Sequence, residues 1–124
     1  MKKLTLIFTL LFSTVMFPSS SYAKWVKVSE TVSGDSFYVN TERLKIKGKY
    51  RYVWRMVNYS RGKSSLSFSL VDCDMGRKKD LKDIEFSKPM GEGTPLDFSE
   101  DDPKWDYPIP DTSIGIVIDF ICKM

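Results

Sequence analysis

Five basic residues recur at odd-numbered positions of one short segment, namely Lys45, Lys47, Lys49, Arg51 and Arg55. Successive side chains of a β-strand point to opposite faces, so side chains at odd-numbered positions would share a face. Together they would form a positive stripe able to bind an acidic polymer or an acidic protein surface. Such a pattern more often marks a solvated outer face of a sheet. Because a positive stripe can also bind acidic partners, we retain it as a candidate protein-binding site.

Aromatic side chains occupy the even-numbered positions of the same segment, at Tyr50, Tyr52 and Trp54. Rings in this arrangement could stack on a planar ligand. More often such a set packs beneath a helix as part of the hydrophobic core, and this is the arrangement that we expect.

Residue types that carry catalysis are scarce. The sequence contains no histidine, which removes histidine-based triads, the commonest general base and the commonest zinc ligand. Asp72 and Asp74 resemble the start of a calcium loop, but Gly76 stands at the fifth position of that loop and not at the sixth. We therefore predict a protein that is not an enzyme and that has no metal site and no cofactor.

The first 23 residues have the composition of a secretory signal peptide. Lys2 and Lys3 precede an apolar run over residues 4–17, and Ser21 and Ala23 are the small residues of a cleavage site. The run is shorter than the ~18–20 residues that span a bilayer, and no cysteine follows the cut to carry a lipid. We expect residues 24–124 to form a single exported domain without a membrane anchor, either periplasmic or secreted, with display at the cell surface as a further option.

The charge of the exported chain is nearly balanced. Two of the 19 basic residues lie in the signal, whereas all 16 acidic residues follow it. A nucleic-acid-binding domain would show a large basic excess, so we expect no nucleic-acid partner.

Two cysteines, Cys73 and Cys122, are present. Outside the cytoplasm such a pair is expected to form a disulfide. The two cysteines are 49 positions apart. Closing a loop of this length would destabilise the unfolded chain by roughly 4 kcal/mol in the chain-entropy description. A redox role is disfavoured, because there is no Cys-x-x-Cys motif and no histidine to activate a thiolate.

The remaining sequence predicts mainly β-structure. Alternating or β-branched runs, separated by Gly-containing or polar turns, indicate strands at residues 24–29, 35–40, 44–47, 50–58, 64–73 and 80–87. Residues 88–110 contain glycines, prolines and an acidic cluster, and we expect a long irregular loop with room for one short extended piece.

The last segment, "SIGIVIDFIC", has strand propensity but helical periodicity. Ile114, Val117, Ile118, Ile121 and Cys122 fall on one face of a helix, and one of the residues 111–113 would be the N-cap. We therefore predict an α+β fold, in which an antiparallel sheet of about five or six strands carries a C-terminal α-helix that the disulfide tethers to one face.

The position of Cys73 raises a difficulty for this prediction. Unbroken alternation in residues 64–73 would put Cys73 on the face of the serines and not on the face of Leu66, Phe68 and Leu70. Either a bulge lies near residues 71–72, or Cys73 lies beyond the end of the strand.

The order of these motifs resembles the surface-adhesin protein E family of Gram-negative bacteria. The pattern begins with an early Trp (Trp25), an extended aromatic piece (37–39) and a Trp-bearing strand (52–54). A strand ending in Asp-Cys follows (Asp72 and Cys73), and then a Met (Met90) and a Gly (Gly93). A second Trp (Trp105), a Pro-x-x-Ser helix start (110–113) and a terminal Cys (Cys122) complete it.

This resemblance implies a C-terminal helix disulfide-bonded across the concave face of an antiparallel sheet. It also implies an adhesin, since the family's named member binds host matrix proteins such as vitronectin and laminin and has been associated with haem. A histidine-ligated haem is excluded in this chain. We expect a protein partner, either a host matrix protein or an envelope protein, and a monomer or homodimer. The alternatives are a periplasmic accessory or inhibitor protein, and a binder of small hydrophobic ligands in a cleft between helix and sheet.

Overall fold

The computed structural model describes residues 25–99 and 104–124. These residues form seven strands, one short 3₁₀ turn (Pro89–Gly91) and one α-helix. The strands are β1 (Trp25–Glu30), β2 (Ser36–Asn40), β3 (Lys45–Lys47), β4 (Tyr50–Asn58), β5 (Ser64–Asp72), β6 (Arg77–Phe86) and β7 (Pro95–Ser99), and the helix is α1 (Ser113–Cys122). The predicted signal peptide, residues 1–23, lies outside the described residues.

All seven strands belong to one antiparallel sheet with the order β1-β2-β4-β5-β6-β7. The short strand β3 pairs with β4 on the same edge that β2 occupies further along. Tight turns connect the central strands because glycines supply the left-handed backbone that these turns need, with φ of 59° at Gly48 and 96° at Gly62. The sheet is therefore mostly a meander, and neighbouring strands are neighbours in sequence.

The helix α1 packs on one side of this sheet, which we call the helix face. Val117, Ile118 and Ile121 of α1 form a buried cluster with valines of β2, β4 and β5, namely Val39, Val53 and Val71. The helix begins at the N-cap Thr112, whose Oγ1 accepts a hydrogen bond from the Gly115 N–H. The choice of helical periodicity over strand propensity is thus confirmed.

A disulfide joins Cys73 to Cys122 with a Cα–Cα distance of 5.7 Å, which confirms that the last turn of the helix is tethered to the sheet. Cys73 directly follows the end of β5 and continues the alternation of Val71, which faces the helix. The difficulty with its position disappears because the helix face is the serine side of β5. No bulge is present near residues 71–72, and Cys73 lies one residue beyond the strand.

A bulge does occur in the next strand, β6. Phe68 pairs with Lys82 and Ser69 pairs with Asp80, so Leu81 is the extra residue. On either side of Leu81 the alternation of β6 is therefore offset by one residue. Lys79 and Lys82 consequently lie on the same face of the sheet, although simple alternation would separate them.

The structure adds one strand to the expected five or six. β7 lies inside the segment that the sequence suggested to be an irregular loop, and all five of its residues are exposed. It pairs with the C-terminal half of β6 and leaves its own other side as an edge of the sheet. None of the helices in the described ranges is long and apolar enough to cross a membrane.

Candidate functional site

The side of the sheet away from α1, which we call the open face, carries the aromatic residues. Residues directly opposite each other in an antiparallel pair share a face, and Trp54 pairs with Phe68 and Tyr52 with Leu70. The Trp54 and Phe68 rings lie 4.9 Å apart between centroids, and those of Tyr52 and Phe68 lie 6.4 Å apart. These side chains are half-buried. The expectation that the aromatic set packs beneath the helix is therefore wrong.

The reason is that β4 offers two apolar faces. Val53 and Val57 alternate with Tyr52, Trp54 and Met56. The helix packs on the smaller, β-branched set, with Val53 fully buried in the cluster beneath α1. The aromatic set is left to form the floor of the open face.

The five predicted basic residues do not form one stripe. Lys45 pairs with Tyr52 and Lys47 with Tyr50, so both lie on the open face. Lys49 lies in the turn between β3 and β4, and its Nζ is 5.1 Å from the centroid of the Tyr50 ring.

Arg51 and Arg55 point to the helix face instead. Arg51 pairs with Val71 of the core cluster, and Arg55 is only 7% exposed. The prediction that Arg51 and Arg55 share one face of β4 is correct. The β3–β4 hairpin, however, pairs the odd-numbered residues of β3 with the even-numbered residues of β4, so the lysines of β3 lie on the other face. A role of these cations in binding stays a prediction, and only Lys45, Lys47 and Lys49 are placed to act together.

Arg55 belongs to a buried polar network. Its guanidinium donates to Asp80 Oδ1 at 2.8 Å and to Ser69 Oγ at 2.9 Å, and Lys78 Nζ donates to Asp80 Oδ2 at 2.8 Å. Burial alone would raise the pKa of Asp80, but attraction to Arg55 and the hydrogen bonds from Arg55, Lys78 and Ser69 outweigh it, so this pKa lies far below its ordinary 3.8. Ser67 and Ser69 of β5 can be buried on this face because their hydroxyls are hydrogen-bonded.

Two groups of cations, which we call banks, flank the aromatic floor of the open face. The first consists of Lys45 and Lys47, and the second of Arg77, Lys79 and Lys82. One row across the sheet reads Lys45, Tyr52, Leu70 and Lys79, from β3 through β4 and β5 to β6. Neighbouring strands lie roughly 4.8 Å apart, so the two lysine backbones of this row are separated by about 14 Å. The row therefore has an apolar centre and a positive charge at each end.

Sequence reasoning missed the second bank of cations. Arg77, Lys79 and Lys82 pair with Asp72, Leu70 and Phe68, and all three lie on the open face. No signal in the sequence marks them, because the bulge at Leu81 offsets the alternation of β6.

Trp105 was noticed in the sequence, but its place was not predicted. Its ring contacts two cations, Arg77, whose Cζ is 4.0 Å from the ring centroid, and Lys79, whose Nζ is 4.5 Å from it. This contact attaches the segment that precedes α1 to the edge of the open face.

A groove of ≈ 720 Å³ lies on the β3 side of this floor. Its floor consists of aromatic rings, and its wall is formed by β3 and the connection from β2. We call it the basic–aromatic groove; the lining residues are Glu42, Arg43, Leu44, Lys45, Lys47, Tyr52, Trp54 and Phe68. Three cations against one carboxylate make it net positive, so it suits a ligand that is both apolar and negatively charged.

The apolar surface of the open face extends beyond the groove. A second row across the sheet joins Tyr38, Met56, Leu66, Ile84 and Phe98. Met56 is buried, with the 3₁₀ turn covering it, whereas Phe98 on the edge strand is 56% exposed. Within residues 25–99 and 104–124, no group of cysteines and carboxylates is arranged to hold a metal ion.

The family model for surface-adhesin protein E matches residues 25–123. The chain belongs to the surface-adhesin protein E family. The match covers the whole sheet and all of α1, and of the described residues it leaves out only Met124. It supports an adhesin-type surface protein, and it does not identify a partner.

Solved structures of Haemophilus influenzae protein E have the same fold. One, in a second crystal form, superposes with a TM-score of 0.68 at 13% sequence identity, over 86% of this chain and 92% of that chain. Another, of protein E from a non-typeable strain, gives a TM-score of 0.62 at 13% identity, over 86% of this chain and 80% of that chain. No curated protein sequence matches the chain significantly. At this identity the similarity shows the fold alone.

Proposed function

We propose that this protein is an exported, non-enzymatic binding domain of the adhesin type, which captures a segment of another protein in its basic–aromatic groove. The observation that supports this most is the groove itself, in which half-exposed aromatic rings lie beside Lys45 and Lys47. Tyr and Trp rings with a nearby cation are typical of protein-binding surfaces. Family membership supports the adhesin class.

The row geometry indicates what the partner segment looks like. Lysines at the two ends of a row are separated by about 14 Å, and an extended peptide rises roughly 3.3 Å per residue. Acidic side chains at positions i and i+4 would therefore reach both banks. An apolar side chain at i+2 points the same way as these two and would contact the aromatic floor. The expected ligand is an extended segment with an acid–x–apolar–x–acid pattern.

The helix side of the sheet is a weaker candidate for ligand binding. Val117, Ile118 and Ile121 fill the space against the sheet and are at most 6% exposed. A small hydrophobic ligand would have to displace this core. A cavity of ≈ 420 Å³ does lie beside α1, but it is lined by the helix, the disulfide and the loop before the helix, and not by strands. It is therefore not the cleft between helix and sheet that the alternative requires.

The direct test is a titration of the purified domain with a Glu-x-Phe-x-Glu peptide, followed by NMR chemical shifts of open-face residues. We expect binding that weakens as salt rises, because the ends of the row act through exposed charges. Replacing the central Phe by Ser, or both Glu by Lys, should abolish it. The proposal fails if all three peptides bind equally or if none binds.

The matched variants are Lys45→Glu/Lys47→Glu and Lys88→Glu/Lys123→Glu. Both change the net charge equally, and all four lysines are exposed, but only the first pair lies in the groove. We expect the first variant to lose the peptide and the second to keep it. Thermal melting should be unchanged in the first and only slightly lower in the second, which loses the exposed Lys123–Asp119 pair. Equal losses would assign the binding to net charge and not to the groove.

Protease accessibility on intact cells tests the location. Digestion of this protein, while a known periplasmic protein is protected, would place it at the surface, where a host protein could be its partner. Protection until the outer membrane is opened would make an envelope protein the partner and would favour the accessory role.

A further inference from the structure

The cavity of ≈ 420 Å³ beside α1 has the disulfide in its wall. Cys73 and Cys122 both line this cavity, and both are partly exposed. The cavity is open to solvent, because Ile116 in its wall is 43% exposed and a Cβ added at Gly76, also in its wall, would have no heavy atom within 4 Å. A molecule from outside can therefore approach the two sulfur atoms without unfolding the chain.

The helix is also held in place by contacts that do not involve the disulfide. Val117, Ile118 and Ile121 are at most 6% exposed in the cluster against the sheet, and Thr112 caps the N-terminus of α1. Breaking the disulfide releases the end of the last turn from the sheet, while these contacts remain. The domain can therefore stay folded in an oxidised form and in a reduced form.

The cavity carries a net negative charge. Asp119 in its wall is paired with Lys123 at 2.8 Å, whereas the exposed carboxylate of Asp111 has no hydrogen bond or ion pair with any residue of 25–99 or 104–124. Pro108, Pro110 and Ile116 supply apolar surface around these carboxylates. A small anionic thiol would be repelled here, and a thiol flanked by basic and apolar side chains would be attracted.

We infer that the Cys73–Cys122 disulfide is a site of thiol–disulfide exchange in the folded protein, and that the cavity receives a cysteine of a dithiol protein with apolar and basic side chains beside it. The pair is the substrate of this exchange and not its catalyst, in keeping with the absence of a Cys-x-x-Cys motif. The proposal is independent of the basic–aromatic groove, which lies on the other face of the sheet.

The exchange has two steps. The partner's thiolate attacks Cys122 Sγ and forms a mixed disulfide, and Cys73 leaves with the electron pair of the broken S–S bond and is protonated. The partner's second thiolate then attacks the partner sulfur of the mixed disulfide, and Cys122 leaves and is protonated. The partner is thereby oxidised from a dithiol to a disulfide, and this chain is reduced to two thiols. Cys122 is the attacked residue because it ends α1, where the helix dipole disfavours a leaving thiolate.

The first test distinguishes entry through the cavity from entry by unfolding. A blocked Leu-Cys-Lys peptide is the reductant, and the freed thiols are alkylated and counted by mass spectrometry under native conditions. We expect a rate proportional to the peptide concentration and nearly unchanged in Asp80→Asn. If reduction required global unfolding, this variant would accelerate it more than about 100-fold, because loss of the buried ion pair raises the unfolded population by that factor.

The second test concerns the charge of the cavity. One carboxylate at roughly 7 Å should make Leu-Cys-Lys react about fivefold faster per thiolate than Leu-Cys-Glu at an ionic strength of about 10 mM. Asp111→Asn should remove this preference, and asparagine tolerates the φ of 69° at this position. The matched control is Glu92→Gln, which changes the net charge equally at an exposed residue outside the cavity and should keep the preference.

The inference is overturned if the folded protein is not reduced, if Asp80→Asn accelerates reduction about 100-fold, or if the unmodified protein reacts equally with both peptides. Loss of the preference in Glu92→Gln as well would assign it to net charge and remove the role of the cavity. Acid quenching of the reaction, followed by peptide mapping, should find the mixed disulfide on Cys122. A mixed disulfide on Cys73 would refute the assignment of the attacked sulfur.

Discussion

Replacing Asp80 by Asn should cost this domain a large part of its stability. The carboxylate accepts from Arg55 and Lys78 at 2.8 Å each, and the side chains of these two cations are only 8% and 7% exposed. Removing one member of a buried ion pair typically costs about 3–5 kcal/mol, because the remaining charges stay buried without a partner. Asp80 is itself 22% exposed, so water relieves part of this, and we expect about 3 kcal/mol.

Urea denaturation at pH 7, followed by far-UV circular dichroism, measures this loss. A domain of this size is typically stable by about 5–15 kcal/mol, so the variant still folds. A loss of 3 kcal/mol would lower the melting temperature by roughly 12–24 °C. The matched control is Asp119→Asn. Asp119 also pairs with a lysine at 2.8 Å, Lys123, but the two side chains are 65% and 75% exposed, so the expected change is below about 1 kcal/mol.

The pH dependence of the same variant gives a second readout. The pKa of Asp80 is depressed in the folded protein, so the unfolded chain binds a proton first as the pH falls. The stabilisation by this carboxylate is therefore complete at neutral pH and decreases below the ordinary value of 3.8, by about 1.4 kcal/mol per pH unit. The difference in stability between the unmodified protein and Asp80→Asn should shrink over that range. A difference that is small at pH 7, or equal to that of Asp119→Asn, would refute the reasoning.

Three further predictions concern the helix. Cys122→Ser should lower the free energy of unfolding by about 2–5 kcal/mol, and a reductant should destabilise the unmodified protein equally but not the variant. Thr112→Ala should cost about 0.5–2 kcal/mol through loss of the N-cap, whereas Thr112→Ser should retain most of the stability in the same denaturation assay. Gly115→Ala should lower the melting temperature although alanine favours helices, because its Cβ would lie against the carbonyl oxygen of Ile109. A higher melting temperature for Gly115→Ala would contradict this packing.

Much of the fold could be predicted from local patterns. The strands of the meander follow from alternation and turn glycines, and α1 follows from the spacing of Ile114, Val117, Ile118 and Ile121. The disulfide follows from export and the number of cysteines. These features depend on residues close together in sequence, which is where periodicity is informative.

The choice between the two faces could not be predicted from alternation. The pattern shows which side chains of β4 lie together, but not which set the helix covers. In the structure the helix covers Val53, and Tyr52 and Trp54 lie on the open face. On β5 the serines can face the helix side because Arg55 and Asp80, both distant in sequence, satisfy the Ser69 hydroxyl. Arg55 donates a hydrogen bond to this hydroxyl, and Asp80 accepts one from it. The register of β3 against β4, which separates Lys45 and Lys47 from Arg55, likewise depends on the hairpin and not on the parity of residue numbers.

The extra residue in β6 has a consequence for how the length of this strand can vary. A one-residue deletion within a central strand normally inverts every side chain beyond it. Deletion of Leu81 would not, because Lys82 and Asp80 already pair with consecutive residues of β5. Every other cross-strand partner of β6 would be kept. Relatives that lack a residue at this point should therefore have the same fold and the same distribution of charge between the two faces.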